Sequence, residues 1–126
     1  SEKNKICSVK KNDRNYVLYL EDMSQAMERI SKYIHGFSFL EFNQDQKTID
    51  AVIRNFEVIG EASKNLSKEF KMNYPDIPWT EMYLLRNKIS HEYFGVDTEI
   101  IWDLAKNYLP ENNQQIKAIL NNEKSH

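Results

Sequence analysis

The chain has 126 residues and a mass of 15.0 kDa, the size of one domain with a substantial core. Its 40% hydrophobic and 29% charged residues are typical of a soluble globular protein, and only 3 Gly and 3 Pro leave few places to turn, which favours long helices. A net charge of -2 and a pI near 5.9 argue against a nucleic-acid binder that relies on overall positive charge.

The first residues form a basic segment, since residues 1–14 hold five basic and two acidic side chains. The segment lacks apolar periodicity, so we expect residues 1–12 to be a flexible basic tail, residues 13–122 a single helical domain and residues 123–126 a C-terminal tail. The sequence shows no apolar signal-peptide core and no apolar run of membrane length, and its single cysteine, Cys7, cannot form an internal disulfide. We therefore expect a cytoplasmic protein with no membrane contact.

Apolar residues recur every three or four positions in the first half of the domain, which predicts two long amphipathic helices. The first begins after Asp13 as its N-cap and ends near Gly36. The second begins after Asn43 or Asp45 and continues to Phe70. The apolar positions that define them are Tyr16, Tyr19, Leu20, Met23, Met27, Ile30, Ile34 and Phe37, then Ile49, Val52, Ile53, Phe56, Ile59, Leu66 and Phe70.

Prolines separate the remaining helices. The stretch NYPDIP ends the second helix, and Pro78 fits the first turn of a third, which stops at Gly95. Asp97 or Thr98 caps a fourth helix, and Pro110 either kinks that helix or begins a fifth. Because no stretch alternates as a strand does, the predicted fold is all-α, an antiparallel up-and-down bundle of four to five helices.

The sequence offers little for metal or nucleophilic chemistry. A di-iron bundle needs Glu-x-x-His pairs, but Lys32 and Lys88 stand three residues before His35 and His91. The sequence has no cysteine pair for zinc, no Gly-x-Ser-x-Gly turn and no glycine-rich phosphate loop. We therefore expect no metal and no other cofactor.

The third predicted helix carries a concentrated set of polar residues, in LLRNKISHEYFG at residues 84–95. Arginine offers a permanent charge with donors matched to phosphate oxygens, and histidine exchanges protons near neutral pH, which suits metal-free phosphodiester cleavage by an internal 2′-hydroxyl. On one ideal helix Arg86 and His91 point about 140° apart, so a site shared by two copies across a two-fold axis would bring them together more naturally. The spacing also fits structural roles, with Arg86 paired to a carboxylate on a neighbouring helix and His91 packed at the edge of the core.

Within this stretch Arg86, His91 and Tyr93 spell R-x4-H-x-Y. With Asn87 after the arginine and Gly-Val-Asp at 95–97, the motif resembles the signature of HEPN domains, in the branch of HepT-like toxins of HEPN/MNT toxin–antitoxin pairs, the type VII systems. Three further stretches resemble the same family in the same order, so that the resemblance covers roughly residues 13 to 120: YLEDMSQAMERI, RNFEVIGEASKNL and EIIWDLAKNYLPENNQQIKAIL.

The resemblance implies an HEPN-like homodimer with the motif helices at its interface, which acts as a metal-independent endoribonuclease. His91 would handle the proton of the 2′-hydroxyl or the leaving oxygen, and Arg86 would stabilise the charged phosphorus. Asn87 would support this pair by orienting the phosphate or His91, and Arg86 together with Lys88 would bind the RNA.

The resemblance also implies a role for Tyr93 and a protein partner. In this family the antitoxin is a minimal nucleotidyltransferase that transfers AMP from ATP to the motif tyrosine. An AMP adduct on Tyr93 would add bulk and negative charge beside a site built for a phosphodiester, and so exclude RNA. The alternative hypothesis is a non-catalytic helical binding subunit that docks with such a nucleotidyltransferase, which the acidic composition of the domain favours.

Overall fold

A computed structural model of the chain describes the backbone of residues 2–83 and 97–124 and the side chains of residues 16–83 and 97–122. This part of the chain consists of helices joined by short turns and contains no strand, which confirms the all-α prediction. In chain order the helices are α1 (Glu2–Ile34), α2 (Phe39–Gln44), α3 (Gln46–Asn65), α4 (Lys68–Met72), α5 (residues 79–83, the last before the gap), α6 (Thr98–Asp103) and α7 (Leu109–Lys124), with a π-helical turn at Leu104–Tyr108 between the last two.

Helix α1 is the centre of the bundle, since it packs along both α3 and α7. Its buried face presents Leu20, Met23 and Ile30, each with no exposed surface. These side chains join one apolar cluster with the buried faces of α3 and α7. The predicted amphipathic periodicity of the first and second helices therefore corresponds to the core of the bundle.

Helix α1 begins at Glu2 and therefore earlier than the predicted N-cap at Asp13. No glycine or proline occurs before Gly36, so nothing in this stretch interrupts helix propagation, and an aspartate within a helix costs little. The predicted flexibility of residues 1–12 stays a prediction. At the other end Gly36 adopts a φ of +81°, as expected for a residue that ends a helix in the left-handed conformation.

The predicted second helix is divided in the structure, so its continuation to Phe70 was wrong. Helix α3 ends at Asn65, and α4 begins after Ser67, whose hydroxyl accepts a hydrogen bond from the Phe70 N–H at 3.1 Å. A serine side chain competes with the helix for backbone hydrogen bonds in this way. Phe70 is nevertheless buried, so the apolar spacing identified a core residue but not the break before it.

Side-chain caps set the starts of two helices near the middle of the sequence. Asp45 caps α3, as predicted, and its carboxylate accepts from the Thr48 N–H at 3.2 Å. The short helix α2 was not predicted, although Ser38 and Glu41 form a capping box, whose S-x-x-E pattern in the sequence indicates a helix start.

The C-terminal helices follow the predicted caps and proline. The Asp97 carboxylate accepts from the Glu99 N–H at 2.9 Å and so caps α6, as predicted. Pro110 lies in the first turn of α7, directly after the π-helical turn, in which the Leu109 N–H donates to the Leu104 carbonyl. Because proline lacks an N–H and its ring clashes with the carbonyl four residues earlier, a wider turn at this point accommodates Pro110 without breaking the helical path.

Candidate functional site

The predicted site residues Arg86, Asn87, Lys88, His91 and Tyr93 all lie within residues 84–96, outside the described residues. Gly95, the predicted end of the third helix, lies there too. Their catalytic, RNA-binding and modification roles therefore stay predictions. The structure does describe how the chain is held on both sides of this segment.

The chain that leads into the segment is fixed by Trp79 at the start of α5. The Trp79 indole N–H donates to the Tyr74 carbonyl at 2.9 Å, and the Trp79 carbonyl accepts from the buried Ser63 hydroxyl at 3.2 Å. The Phe70 and Trp79 rings meet edge to face, with their centroids 6.4 Å apart. The Pro78 carbonyl accepts the first helical hydrogen bond of α5, from Met82, so Pro78 is the N-cap of α5 and lies one position before the first turn in which it was predicted. These contacts tie α5 to both α3 and α4.

The chain that leaves the segment is fixed to α2. After Asp97 caps α6, the Thr98 hydroxyl donates to the Asn43 side-chain carbonyl at 2.6 Å. Further along α6 the Trp102 ring packs on Phe42, with their centroids 5.2 Å apart, and Phe42 is fully buried. Both ends of the motif segment are therefore held by packed side chains and hydrogen bonds, which is the support that a site of defined geometry needs.

Ionisable groups elsewhere in the described part of the chain do not assemble into a metal site. No group of three or more His, Cys, Asp or Glu side chains is placed there to hold an ion. Glu57 contacts Arg54 at 3.6 Å on the surface of α3. The His35 side chain is exposed, and its backbone N–H donates to the Lys32 carbonyl in the turn after α1. None of the helices in the described ranges combines the length and apolar character that crossing a membrane requires.

The charge of the body of the protein is unfavourable for RNA. Residues 16–83 and 97–122 hold nine basic side chains and fifteen acidic ones. The motif segment adds Arg86 and Lys88 against Glu92, and residues 1–15 add five basic side chains against two acidic ones. Any affinity for phosphates must therefore come from local groups of basic residues rather than from the net charge.

The all-α bundle, with an R-x4-H-x-Y segment anchored between α5 and α6, defines a helical domain of the HEPN type. The family described as ribonuclease HepT-like matches residues 23–119. The chain therefore belongs to the HepT-like ribonuclease family, and the family predicted from the sequence is confirmed.

Similar proteins of three organisms carry ribonuclease names. A probable ribonuclease HepT of Thermococcus cleftensis is 45% identical over 97 residues, which are 77% of this chain and 88% of that protein. A putative RNase of Methanocaldococcus jannaschii is 44% identical over 102 residues, 81% of this chain and 84% of the relative. A putative RNase of Caldanaerobacter subterraneus subsp. tengcongensis is 42% identical over 106 residues, 84% and 95% of the two chains. No solved structure matches the chain.

Proposed function

We propose that this member of the HepT-like ribonuclease family is the endoribonuclease toxin of a type VII HEPN/MNT toxin–antitoxin system, and that it cleaves RNA without a metal. The observation that carries the proposal is the family match over residues 23–119, which encloses Arg86 and His91 in their R-x4-H-x-Y spacing. The ribonuclease names of relatives at 42–45% identity support the same class of reaction.

The proposed reaction uses the 2′-hydroxyl of the RNA as the nucleophile. The 2′-oxygen forms a bond to the adjacent phosphorus while the bond to the 5′-oxygen breaks, which leaves a 2′,3′-cyclic phosphate and a 5′-hydroxyl. One imidazole accepts the proton of the 2′-hydroxyl, and an acid returns a proton to the departing 5′-oxygen. In a homodimer two copies of His91 are available for these two steps, while Arg86 neutralises the charge that builds up on the phosphorus oxygens.

The test compares RNA cleavage in EDTA by the wild type, His91→Ala and Arg86→Ala. We expect each substitution to lower the rate by about 10²-fold or more, since it removes a proton-transfer group or the charge that stabilises the transition state. The products of the wild type should carry 2′,3′-cyclic phosphate and 5′-hydroxyl ends, which mass spectrometry of a defined oligoribonucleotide detects. Equal cleavage by all three proteins would refute the assignment of Arg86 and His91.

Two surface variants of the same residue types provide matched controls. His35, in the turn after α1, and Arg54, on α3, are exposed and lie far from the motif segment in sequence. His35→Ala and Arg54→Ala should retain wild-type activity. Loss of activity in these variants would indicate a general effect on the fold rather than the loss of a catalytic group.

The second candidate function is a non-catalytic subunit that docks with a minimal nucleotidyltransferase. The acidic surplus of the described body favours it, because such a surface suits a protein partner better than a polyanion. Under this hypothesis overexpression does not arrest growth, and His91→Ala leaves both partner binding and the cellular effect unchanged.

A further inference from the structure

A groove lies between α4 and the start of α5, on the side of the chain that leads into the motif segment. It is lined by side chains that include Lys68, Lys71, Met72, Pro75, Trp79 and Thr80. Its volume of about 560 Å³ falls in the range of sites that hold groups of small-molecule size rather than a single ion.

The two lysines of the groove, Lys68 and Lys71, have no ion-pair partner among the described side chains. Lys71 is partly buried, and this burial lowers the pKa of its ammonium group below the ordinary value. Removing an unpaired charge from water costs free energy, and a bound anion offsets part of that cost.

The groove also exposes apolar surface beside the lysines. Met72 is 70% exposed, and Pro75, which lines the same groove, is exposed as well. Thr80 is exposed on the α5 side of the groove, and a threonine hydroxyl can donate a hydrogen bond. Single-stranded nucleic acid alternates phosphates with the apolar faces of ribose and base, so its chemistry is complementary to this mixed surface.

The groove lysines belong to a cluster of basic residues in a part of the chain that is acidic as a whole. Three of the nine basic side chains in the described part, Lys64, Lys68 and Lys71, fall within eight residues that hold one acidic side chain, Glu69, while Asp76 and Glu81 follow beside Pro75 and Thr80, so the excess of positive charge lies on the α4 side of the groove. A local excess of positive charge attracts a polyanion even where the net charge of the protein is negative.

The groove residues precede the predicted cleavage residues in the sequence. Thr80 precedes Arg86 by six residues, which is about 9 Å along the axis if the third helix continues as the sequence predicts. We propose that this groove binds the RNA strand next to the cleavage site, with Lys68 and Lys71 on its phosphates and Met72 against a ribose or base. The inference rests on the proposed ribonuclease function and names a binding surface for its substrate.

The experiment measures RNA binding on a protein that does not cleave. In the His91→Ala background, a labelled single-stranded oligoribonucleotide is titrated by fluorescence anisotropy over a range of salt concentrations. Adding Lys68→Ala and Lys71→Ala should raise the Kd about tenfold at low salt. The slope of log K against log salt should fall by about 1.4, since each single-strand phosphate contact contributes about 0.7.

Charge-matched controls separate a groove contact from a change in net charge. Lys32 and Lys47 are exposed on α1 and α3, so Lys32→Ala with Lys47→Ala removes the same charge elsewhere and should leave the Kd close to that of the background. The pair Lys68→Arg and Lys71→Arg keeps the charge and should keep the affinity. The exposed single variant Lys68→Ala should show half of the change in slope, so the proposal remains testable if the double variant does not fold.

The outcomes distinguish the groove from the nuclease activity. If the Lys68 and Lys71 variants bind RNA with unchanged Kd and slope, the groove proposal is overturned, even where the wild type cleaves RNA. If the wild type does not cleave RNA but these variants lose RNA affinity, the groove stands and the proposed nuclease activity fails. If the variants keep RNA affinity and lose binding to the nucleotidyltransferase, the groove is a protein-docking surface and the RNA proposal is overturned.

Discussion

The Ser63 side chain on α3 is completely buried and donates to the Trp79 carbonyl at the start of α5. A buried hydroxyl or carbonyl without a partner costs more than a typical hydrogen bond contributes. This hydrogen bond is one of the contacts that join the core to the chain that leads into the motif segment.

We expect Ser63→Ala to lower the free energy of unfolding by about 1–2 kcal/mol, because the buried Trp79 carbonyl loses a donor. Urea unfolding followed by circular dichroism measures the change. Ser31→Ala, on the exposed surface of α1, is the control and should change stability by less than about 0.5 kcal/mol. Equal stability of the two variants would show that the Ser63 hydrogen bond does not stabilise the fold.

Tyr93 is the residue to which a nucleotidyltransferase antitoxin would transfer AMP, and this transfer would inhibit the proposed ribonuclease. Co-expression with a nucleotidyltransferase of the antitoxin type should raise the mass of the protein by one or more AMP units, and Tyr93→Phe should abolish the gain, because the acceptor hydroxyl is absent. Tyr108, whose side chain is 53% exposed, supplies the control, since Tyr108→Phe should still accept AMP. An adduct that persists in Tyr93→Phe would place the modification on another residue.

At the scale of helices, a polar network joins α1 to α7. The Ser24 hydroxyl donates to the Asn113 side-chain carbonyl at 2.7 Å, and Lys117 forms an ion pair with Glu28. The hydrogen bond from Lys117 is the main cause of the lowered pKa of Glu28. Because about half of each side chain in the Glu28–Lys117 pair is exposed, solvent screens the interaction and its contribution is small.

Glu28→Gln should therefore lower the free energy of unfolding by no more than about 1 kcal/mol at neutral pH. Since the folded protein depresses the pKa of Glu28, the contribution is complete above the unfolded pKa of about 4.5 and disappears as the pH falls through the lower folded value. Urea unfolding of both proteins from pH 7 to pH 3 measures the difference. In a Lys117→Gln background the effect of Glu28→Gln should shrink, and an effect of undiminished size would assign it to other contacts of Glu28.

Local chemistry explains how much of the helix pattern was predictable. Asp45 and Asp97 cap helices with their own side chains, and Gly36 ends a helix with its left-handed backbone. Because these effects are local in sequence, the helix boundaries at these residues were predicted. The break at Ser67 was missed because the apolar spacing from Leu66 to Phe70 continues across it. Pro110 predicted a kink or a new helix after α6, but the sequence did not indicate that the chain there forms a π-helical turn.

The residues of the candidate site were predicted from a family resemblance rather than from local chemistry. Arg86 and His91 were identified by the resemblance of their motif to a family, whereas their spacing alone also fitted structural roles. The groove with Lys68 and Lys71 could not be predicted from the sequence, because it exists only where α4 turns back against the start of α5.

At the scale of the whole molecule, two chains would form the proposed site more naturally than one. An arginine and a histidine that point about 140° apart on one helix converge if one comes from each protomer of a homodimer. The particle in solution should then have about twice the chain mass of 15.0 kDa. Sedimentation equilibrium measures it.

A mixing experiment tests whether the site is shared between protomers. Arg86→Ala and His91→Ala are unfolded, mixed in equal amounts and refolded together. Random pairing makes about half of the dimers mixed, and each mixed dimer holds one intact Arg86 and one intact His91 on different chains. If one His91 serves each composite site, about a quarter of the wild-type activity should return. Absence of any recovery, with mixed dimers demonstrated by mass spectrometry, would rule out such a site and leave either a site that uses both copies of His91 or one in which Arg86 and His91 act from the same chain.

The wide turn before Pro110 has a consequence for the alignment of the last helix. The π-helical turn at Leu104–Tyr108 holds one residue more than an α-helical turn. Converting it to an α-helical turn would rotate α7 by about 100° about the helix axis. Ile116 and Leu120 would then swing out of the core, at a cost of about 1.5–3 kcal/mol for each side chain left in water. The extra residue of the π-helical turn thus determines which face of α7 packs against α1. Because a tighter turn would expose core side chains, we expect the π-helical turn to persist even if alanine replaces Pro110.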